Sequence, residues 1–373
     1  MTPRYRSPLT VASILRARAG GSRPVPASTA GMPNSLTITW LPSASDGLHR
    51  LLLEQSAGGS IILPAYTCMR VVGSVVAAGW TPKFVDIEPH TLTMSATSVA
   101  AALGNRRPGT SAAVLVTHLH GLPAPLRELR VVAERHGAIL IEDCAMAQGA
   151  RCGAESVGAG GDASLFSFGL GKTISIGAGG AVVGRRVDSA PAGSALVSPL
   201  RTWLSRAGRI GDLRFATQET VKTLIGLETR GAAEPPYLPT RWRKEALSAL
   251  PRLLADPAVE RTLDVKRALS AGWLSAISDL GSPLVSVPTP ADSAATPCCP
   301  GVPLFVTDRD RLAARLRELG VHTSRLFSYS AGTLAGAGRF PGADWLAARI
   351  LLLPTEEGLS GARDSVLTAI ADA

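Results

Sequence analysis

Short apolar runs alternate with longer stretches of helical spacing through the first half of the chain. The runs Ser60 to Leu63, Lys83 to Asp86, Ala112 to His118, Ala138 to Asp143, Ser164 to Phe168 and Ala181 to Val183 have the length of strands. Between them lie segments such as Leu126 to His136, whose apolar side chains recur every three or four residues. Strands alternating with helices predict an α/β domain on a mainly parallel sheet flanked by helices. Ligands of such sheets bind beyond the C-terminal ends of the strands. Thr67, His118, Asp143 and Ser167 all fall at or just past such ends.

The pattern loosens from about Val187 to Pro236, and Glu234 to Pro239 reads as an extended, proline-rich connector. Helical spacing returns from Trp242 to Leu254 and from Asp256 to Leu280, where Asp256-Pro257 suits a cap and first helical position. A Pro/Ser/Ala stretch, Gly281 to Pro300, follows. The end reads as strand (Val302 to Val306), helix (Asp308 to Leu319), strand (Val321 to Phe327) and two further helices, Asp344 to Leu351 and Gly361 to Ala371. The expected division is an N-terminal helical or extended arm over 1–30, a large α/β domain over 31–236 and a small C-terminal α+β domain over 237–373.

A length of 373 residues, 46% of them hydrophobic, fits a large domain plus a smaller one. No apolar run approaches the ~18 residues of a membrane span. The stretch Leu9 to Leu15 lies among arginines, is marginal as a signal-peptide core and has no clear cleavage site after it, so it reads as a short helix. The five cysteines show no C-x-x-C spacing, which argues against zinc. Their odd number, without a secretory signal, suits a reducing cytoplasm. The formal charge of +9 comes mostly from dispersed arginines, and aromatics are few, which argues against nucleic acid. That charge fits either a solvated basic surface or attraction of an anionic substrate such as a nucleotide diphosphate.

Only five of the 38 basic side chains are lysines, and one of them, Lys172, follows Ser167-Phe168-Gly169-Leu170-Gly171 and precedes the glycine-rich run Gly177 to Gly180. The apolar run before that segment ends in Glu142-Asp143. An acid at the end of one buried strand, a serine after the next and a lysine in the following loop can together hold pyridoxal phosphate (PLP). The lysine amine condenses with the aldehyde, the acid keeps the pyridine nitrogen protonated, and the serine binds phosphate. Arginine could not replace Lys172, because it cannot deprotonate. The alternative for Asp143 is a helix N-cap after its strand, a position Asp favours, and Glu142 should point the other way. Gly169 to Thr173 superficially resembles a nucleotide-binding P-loop, but the required first glycine would fall at Phe166.

Several segments in one order resemble the DegT/DnrJ/StrS-type PLP-dependent sugar aminotransferases. Leu63-Pro64-Ala65-Tyr66-Thr67 is similar to the family's Pro-x-Tyr-Thr segment, and Phe84-Val85-Asp86-Ile87 to the strand after it. Thr117-His118-Leu119-His120-Gly121 resembles its His-Leu-Tyr-Gly turn, Glu142-Asp143-Cys144-Ala145 its Glu-Asp-Ala-Ala, and Ser167 to Lys172 its Ser-Phe-x-x-x-Lys. Leu353 to Ser360 is similar to its Leu-Pro-x-x-x-Gly-Leu-Ser ending. The resemblance is strong from about residue 60 to 185, fair from about 300 to 370 and weak elsewhere. It implies PLP transferase fold type I, a homodimer with shared active sites, and transfer of an amino group from a small-molecule donor such as glutamate to a keto acceptor, a nucleotide-linked keto sugar.

The resemblance also assigns the remaining candidates. Ser43-Ala44-Ser45-Asp46-Gly47-Leu48 is the counterpart of the family's phosphate-binding Ser-Gly-Thr-x-Ala-Leu, with Ala44 and Ser45 replacing glycine and threonine and Asp46 adding a negative charge. Cys68 stands where an aromatic often stacks on the cofactor ring. Met146 stands where the family commonly has Gln or His near the phenolic oxygen, with Gln148 two residues on. A partner-subunit asparagine that reaches the phosphate aligns at about Pro239. Thr67, His118, His120 and Gln148 are candidate substrate contacts, and a satisfied buried histidine explains His118 and His120 as well. These departures keep two alternatives open: a PLP enzyme acting on a non-sugar intermediate, or a non-catalytic family member.

Overall fold

The computed structural model describes residues 29–187 and 250–373, apart from positions 34, 57, 108, 170, 177 and 178. The large domain carries β1 (Ile38–Leu41), β2 (Ser60–Pro64), β3 (Thr81–Val85), β4 (Ala112–Thr117), β5 (Ile139–Asp143), the small hairpin strands β6 (Arg151–Cys152) and β7 (Glu155–Ser156), β8 (Ala163–Ser167) and β9 (Gly180–Val183). Seven of these form one sheet in the order β1-β9-β8-β5-β4-β2-β3. The pairs among β2, β3, β4, β5 and β8 are parallel, while β9 lies antiparallel between β8 and β1. The six strands expected from the sequence are all present, with ends shifted by one or two residues. β1 was not expected. It has only four residues, with alternate ones buried.

Helices α1 (Ala44–Gln55), α2 (Met69–Ala77), α3 (Ala96–Gly104) and α4 (Leu126–Arg135) cover the sheet. Ser43 caps α1 by accepting the Asp46 N–H at 3.1 Å, and Leu48, Leu51 and Leu52 put one face of the helix into the core. β4, Ala-Ala-Val-Leu-Val-Thr, is buried along almost all its length, as a central parallel strand must be. Each fully buried aliphatic side chain there contributes about 1.5–3 kcal/mol.

The 23-residue helix α5 (Pro257–Asp279) links the two halves, and Asp256 caps it through the Ala258 N–H. Val259 and Leu263 near its start belong to a core cluster with Phe166 and Phe168 of the sheet domain. Trp273, Leu274 and Ile277 near its end belong to the small-domain core instead. That domain adds β10 (Val285–Ser286), β11 (Ala295–Thr296), β12 (Gly301–Val306), α6 (Arg309–Glu318), α7 (Ala331–Leu334), α8 (Pro341–Arg349), β13 (Ile350–Pro354) and α9 (Arg363–Ala371). Its sheet runs β10-β12-β13, while β11 pairs with β6 of the large domain. The expected boundary between 236 and 237, and the N-terminal arm apart from residues 29 and 30, lie outside the described residues.

Two expectations for the small domain were wrong. Val321 to Phe327 is not a strand: a single bridge joins Ser324 to Leu352, and Phe327 turns into the left-handed region at φ 54°. Its place beside β12 is taken by β13, whose Ile-Leu-Leu-Leu continues directly from α8. An apolar run buried on both sides carries no period, so the sequence merged strand and helix. Asp86 fastens α8 to the large domain, its carboxylate accepting the N–H groups of Gly342 and Ala343 at 2.8 and 2.9 Å. No helix among the described residues is long and apolar enough to cross a membrane.

Candidate active site

Register brings the sequence candidates to one end of the sheet. Thr117 on β4 pairs with Asp143 on β5, and Ser167 on β8 pairs with Gly180, which pairs in turn with Leu41 at the end of β1. From Leu41 the chain enters α1 within three residues. A Cβ on Gly180 would collide with the backbone of Ser43 and Ala44 and lie 2.9 Å from Phe166 O. Only glycine therefore lets the start of α1 approach Ser167 this closely. Two of the first backbone N–H groups of α1, on Ala44 and Ser45, have no partner within a helix by construction. Gly47 N reaches Ser43 O, and Asp46 N reaches the Ser43 hydroxyl. Asp46 does not oppose an anion here, since Arg50 pairs with its carboxylate at 2.8 Å.

Asp143 is buried, and its Oδ1 accepts the Ala145 N–H at 3.0 Å. This closes a turn rather than a helix, so the helix-cap role does not arise. Burial pushes the Asp143 carboxyl above its ordinary value, although the Ala145 N–H and the positive charge of Lys172 pull it down. A cation against this carboxylate would relieve the imbalance.

The neighbouring carboxylate has the opposite environment. Glu142 Oε2 bonds His118 Nε2 at 2.9 Å and the Gly158 N–H at 2.7 Å, and its Oε1 accepts the Gly161 N–H at 2.5 Å. Burial pushes Glu142 up, but the His118 hydrogen bond and the two backbone N–H groups outweigh it and hold the acid below its ordinary value. His118 Nδ1 accepts the Ala124 N–H at 3.0 Å, so the ring proton sits on Nε2 and goes to Glu142. Both nitrogens are thus engaged inside the protein, and His118 has none left for a substrate. Cys144 lies within 4.8 Å of the same atoms, but those hydrogen bonds already close the cluster to a metal.

His120 follows in a short 3-10 turn and has φ 53°. Its ring lies 6.0 Å from that of Tyr66, whose hydroxyl donates to Leu326 O at 2.5 Å. Neither His120 nitrogen has a hydrogen-bond partner among the described residues, nor do Thr117 Oγ1 and Gln148 Oε1. Burial and the positive charge of Lys172 lower the His120 pKa to about 3. Gln148 also donates to Ala30 O at 2.8 Å, which ties it to the N-terminal segment. Met146 is buried, and its carbonyl accepts the hydroxyl of Thr173, the residue after Lys172, at 2.9 Å. Cys68 starts α2 without a side-chain cap, and Thr67 is buried beside it. A cleft lined by Gly171 of the lysine loop and by Pro300, Gly301, His322, Ser324 and Leu326 of the small domain opens at this end. Pro239 and the region 188–249 lie outside the described residues. Neither the approach of Gly180 to α1 nor the lack of His120 partners among the described residues could be read from the sequence, since both depend on contacts between distant segments.

These residues fit PLP. A lysine loop, a buried acid raised by desolvation and a serine beside the first N–H groups of α1 match its aldehyde, pyridine and phosphate. Residues 29–192 match the DegT/DnrJ/EryC1/StrS aminotransferase family. That segment holds the whole seven-stranded sheet. The chain is 39% identical over 145 residues to an L-glutamine:2-deoxy-scyllo-inosose aminotransferase of Streptomyces kanamyceticus, a match covering 38% of this chain and 33% of that one. It is 34% identical over 164 residues to a UDP-N-acetyl-3-dehydro-α-D-glucosamine 3-aminotransferase of Acidithiobacillus ferrooxidans, covering 43% of each. The chain thus spans less than half the length of these relatives. Among solved structures it resembles DesI, determined with its TDP-sugar product, at 26% identity and TM-score 0.65, covering 98% of this chain and 84% of that one.

Proposed function

We propose that the protein is a PLP-dependent aminotransferase moving an amino group from an amino acid such as glutamate to a keto group, that of a nucleotide-linked keto sugar. The observation that supports this reading is that Asp143, Ser167 and the N-terminus of α1 fall at one end of the sheet, with Lys172 in the loop after Ser167. When bound, PLP supplies the electron sink for the carbanion formed during amino transfer. Lys172 would hold the cofactor through its amine and, as the one titratable amine in the loop, would carry the proton that moves during amino transfer. Asp143 holds the pyridine nitrogen protonated, and that proton in turn satisfies its buried charge. The Ser167 hydroxyl and the N–H groups of Ala44 and Ser45 bind the phosphate, while Arg50 keeps Asp46 neutralised. Thr67 lines the acceptor side, Cys68 and Met146 pack near the ring, and the basic surface favours an anionic acceptor.

The substrates named for the two relatives and DesI support the acceptor class, since each name carries a sugar or cyclitol. We extend the reading to a homodimer with shared sites and, from the odd number of cysteines, to the cytoplasm. Borohydride reduction of the purified protein with PLP should fix the cofactor on the peptide containing Lys172, and Lys172→Ala should abolish the absorbance band of the lysine-linked cofactor. An adduct on Lys222 or Lys244, or none, refutes the reading.

A further inference from the structure

His120 departs most clearly from what folding alone would select. Its side chain is 0% exposed, and neither ring nitrogen finds a partner among the described residues. An unsatisfied buried polar group costs about 1–3 kcal/mol, and a left-handed backbone costs a non-glycine residue roughly 1–2 kcal/mol more. Local conflicts of this kind gather at functional sites. The turn itself is held firmly: Cys298 N donates to Gly121 O at 3.0 Å, and a Cβ on Gly121 would strike the Cys298 backbone. His120 is therefore kept in place rather than left where it fell. Lys172 is near enough for its charge to act on the imidazole, and Tyr66 packs against the ring. A neutral imidazole has one N–H to donate and one bare nitrogen to accept. Met146, joined to the lysine loop through its carbonyl, has a thioether that cannot donate.

We propose that His120 donates a hydrogen bond to the cofactor carried by Lys172, at the ring oxygen beside the lysine-linked carbon. In PLP the aldehyde and the ring hydroxyl sit on adjacent carbons, so a donor in the neighbourhood of the lysine amine can reach that oxygen. The inference rests on the reading of Lys172 as the cofactor lysine. It makes His120 a cofactor contact of this chain, with a role distinct from that of the satisfied His118.

The test compares wild type, His120→Phe and His120→Gln as full-length chains, stripped of cofactor and titrated with PLP. Urea unfolding of the stripped proteins runs in parallel. His120→Phe should bind PLP about tenfold more weakly, the worth of one hydrogen bond to a charged oxygen. The stripped variant should be no less stable than wild type, because the unmade bonds of the imidazole are gone. His120→Gln, which keeps an N–H donor, should recover most of the affinity. If Phe is too large for the site to fold, His120→Leu carries the same comparison. Equal affinity, a fall in affinity matched by a fall in stripped-protein stability, or no recovery with Gln overturns the proposal while leaving the assignment of Lys172 intact. A wild type that takes up no PLP overturns both.

Discussion

Glu142→Gln should destabilise the protein severely, although it changes one oxygen to an amide nitrogen and almost no volume. The carboxylate accepts three hydrogen bonds, from His118 Nε2 at 2.9 Å, Gly158 N at 2.7 Å and Gly161 N at 2.5 Å. All three groups are donors, and the side chain is 0% exposed. An amide presents one oxygen and two N–H groups, so at least one donor must face another donor without water to separate them. Hydrogen bonds to a charged acceptor contribute about 1.5–3 kcal/mol each, and a buried donor left unmade costs about 1–3 kcal/mol. The expected loss is about 3–5 kcal/mol, the range for breaking a buried charged pair.

Urea unfolding at neutral pH measures it, with Glu134→Gln as control. Glu134 pairs with Arg130 at 3.3 Å on the surface, and its removal should cost ~0–1 kcal/mol. The pH dependence provides a second check. The Glu142 pKa is depressed in the folded state, so its stabilisation is present above the unfolded value, 4.5, and is lost as pH falls through the folded value. The gap between wild type and Glu142→Gln should therefore be full at pH 7 and narrow below about pH 4.5. A loss under about 1 kcal/mol at pH 7, or a gap that widens in acid, would refute the reasoning.

Gly180→Ala should weaken PLP binding and cost about 1–3 kcal/mol of stability by overpacking, since its methyl group would force the start of α1 away from Ser167; equilibrium titration and urea unfolding read the two effects, and unchanged affinity for inorganic phosphate and PLP would count against the phosphate cup. His120 should make the stripped protein acid-sensitive above the range of Glu142. Its folded pKa of about 3 lies below the ordinary 6.5, so the unfolded chain binds the extra proton and stability falls as pH drops from 6.5 towards 3. Between pH 6.5 and 5 that amounts to about 2 kcal/mol at 1.36 kcal/mol per unit. Asp143, pushed up by burial, acts in the opposite direction, so the measurement is the difference in slope between wild type and His120→Phe.

The sheet was legible because its strands are fully buried apolar runs punctuated by glycine, proline and acids. The lysine loop was legible because a rare lysine follows a strand that ends in serine. β1 escaped notice because four half-buried residues carry too little pattern, and its pairing with β9 joins segments about 140 residues apart. β13 escaped because it continues an amphipathic helix without a break. Cys68, Met146 and Pro239 could be named as departures from the family pattern, but sequence says nothing of what packs around a changed residue. Asp46 shows the point: a charge that looked unfavourable beside a phosphate is paired with Arg50 one helical turn away.

The division of labour in the site lies within short sequence pairs. Glu142 and Asp143 are adjacent carboxylates on opposite faces of one strand. One is satisfied three times over and held below its ordinary pKa; the other has a single turn-closing N–H and is pushed above it. His118 and His120 divide in the same way, one engaged at both nitrogens and the other at neither among the described residues. The satisfied members bond to each other and tie the ends of β4 and β5 together, which fixes the backbone that carries the other two. His118 N also donates to Asp143 O at 3.1 Å, so the link runs through the main chain of the acid itself. The unsatisfied members flank Lys172 electrostatically, and each gains from a ligand that supplies what the fold withholds: a cation for Asp143 and an acceptor for His120. A site whose supporting members are complete and whose ligand-facing members are not is preorganised for binding. The stability of the first pair makes the local cost of the second tolerable.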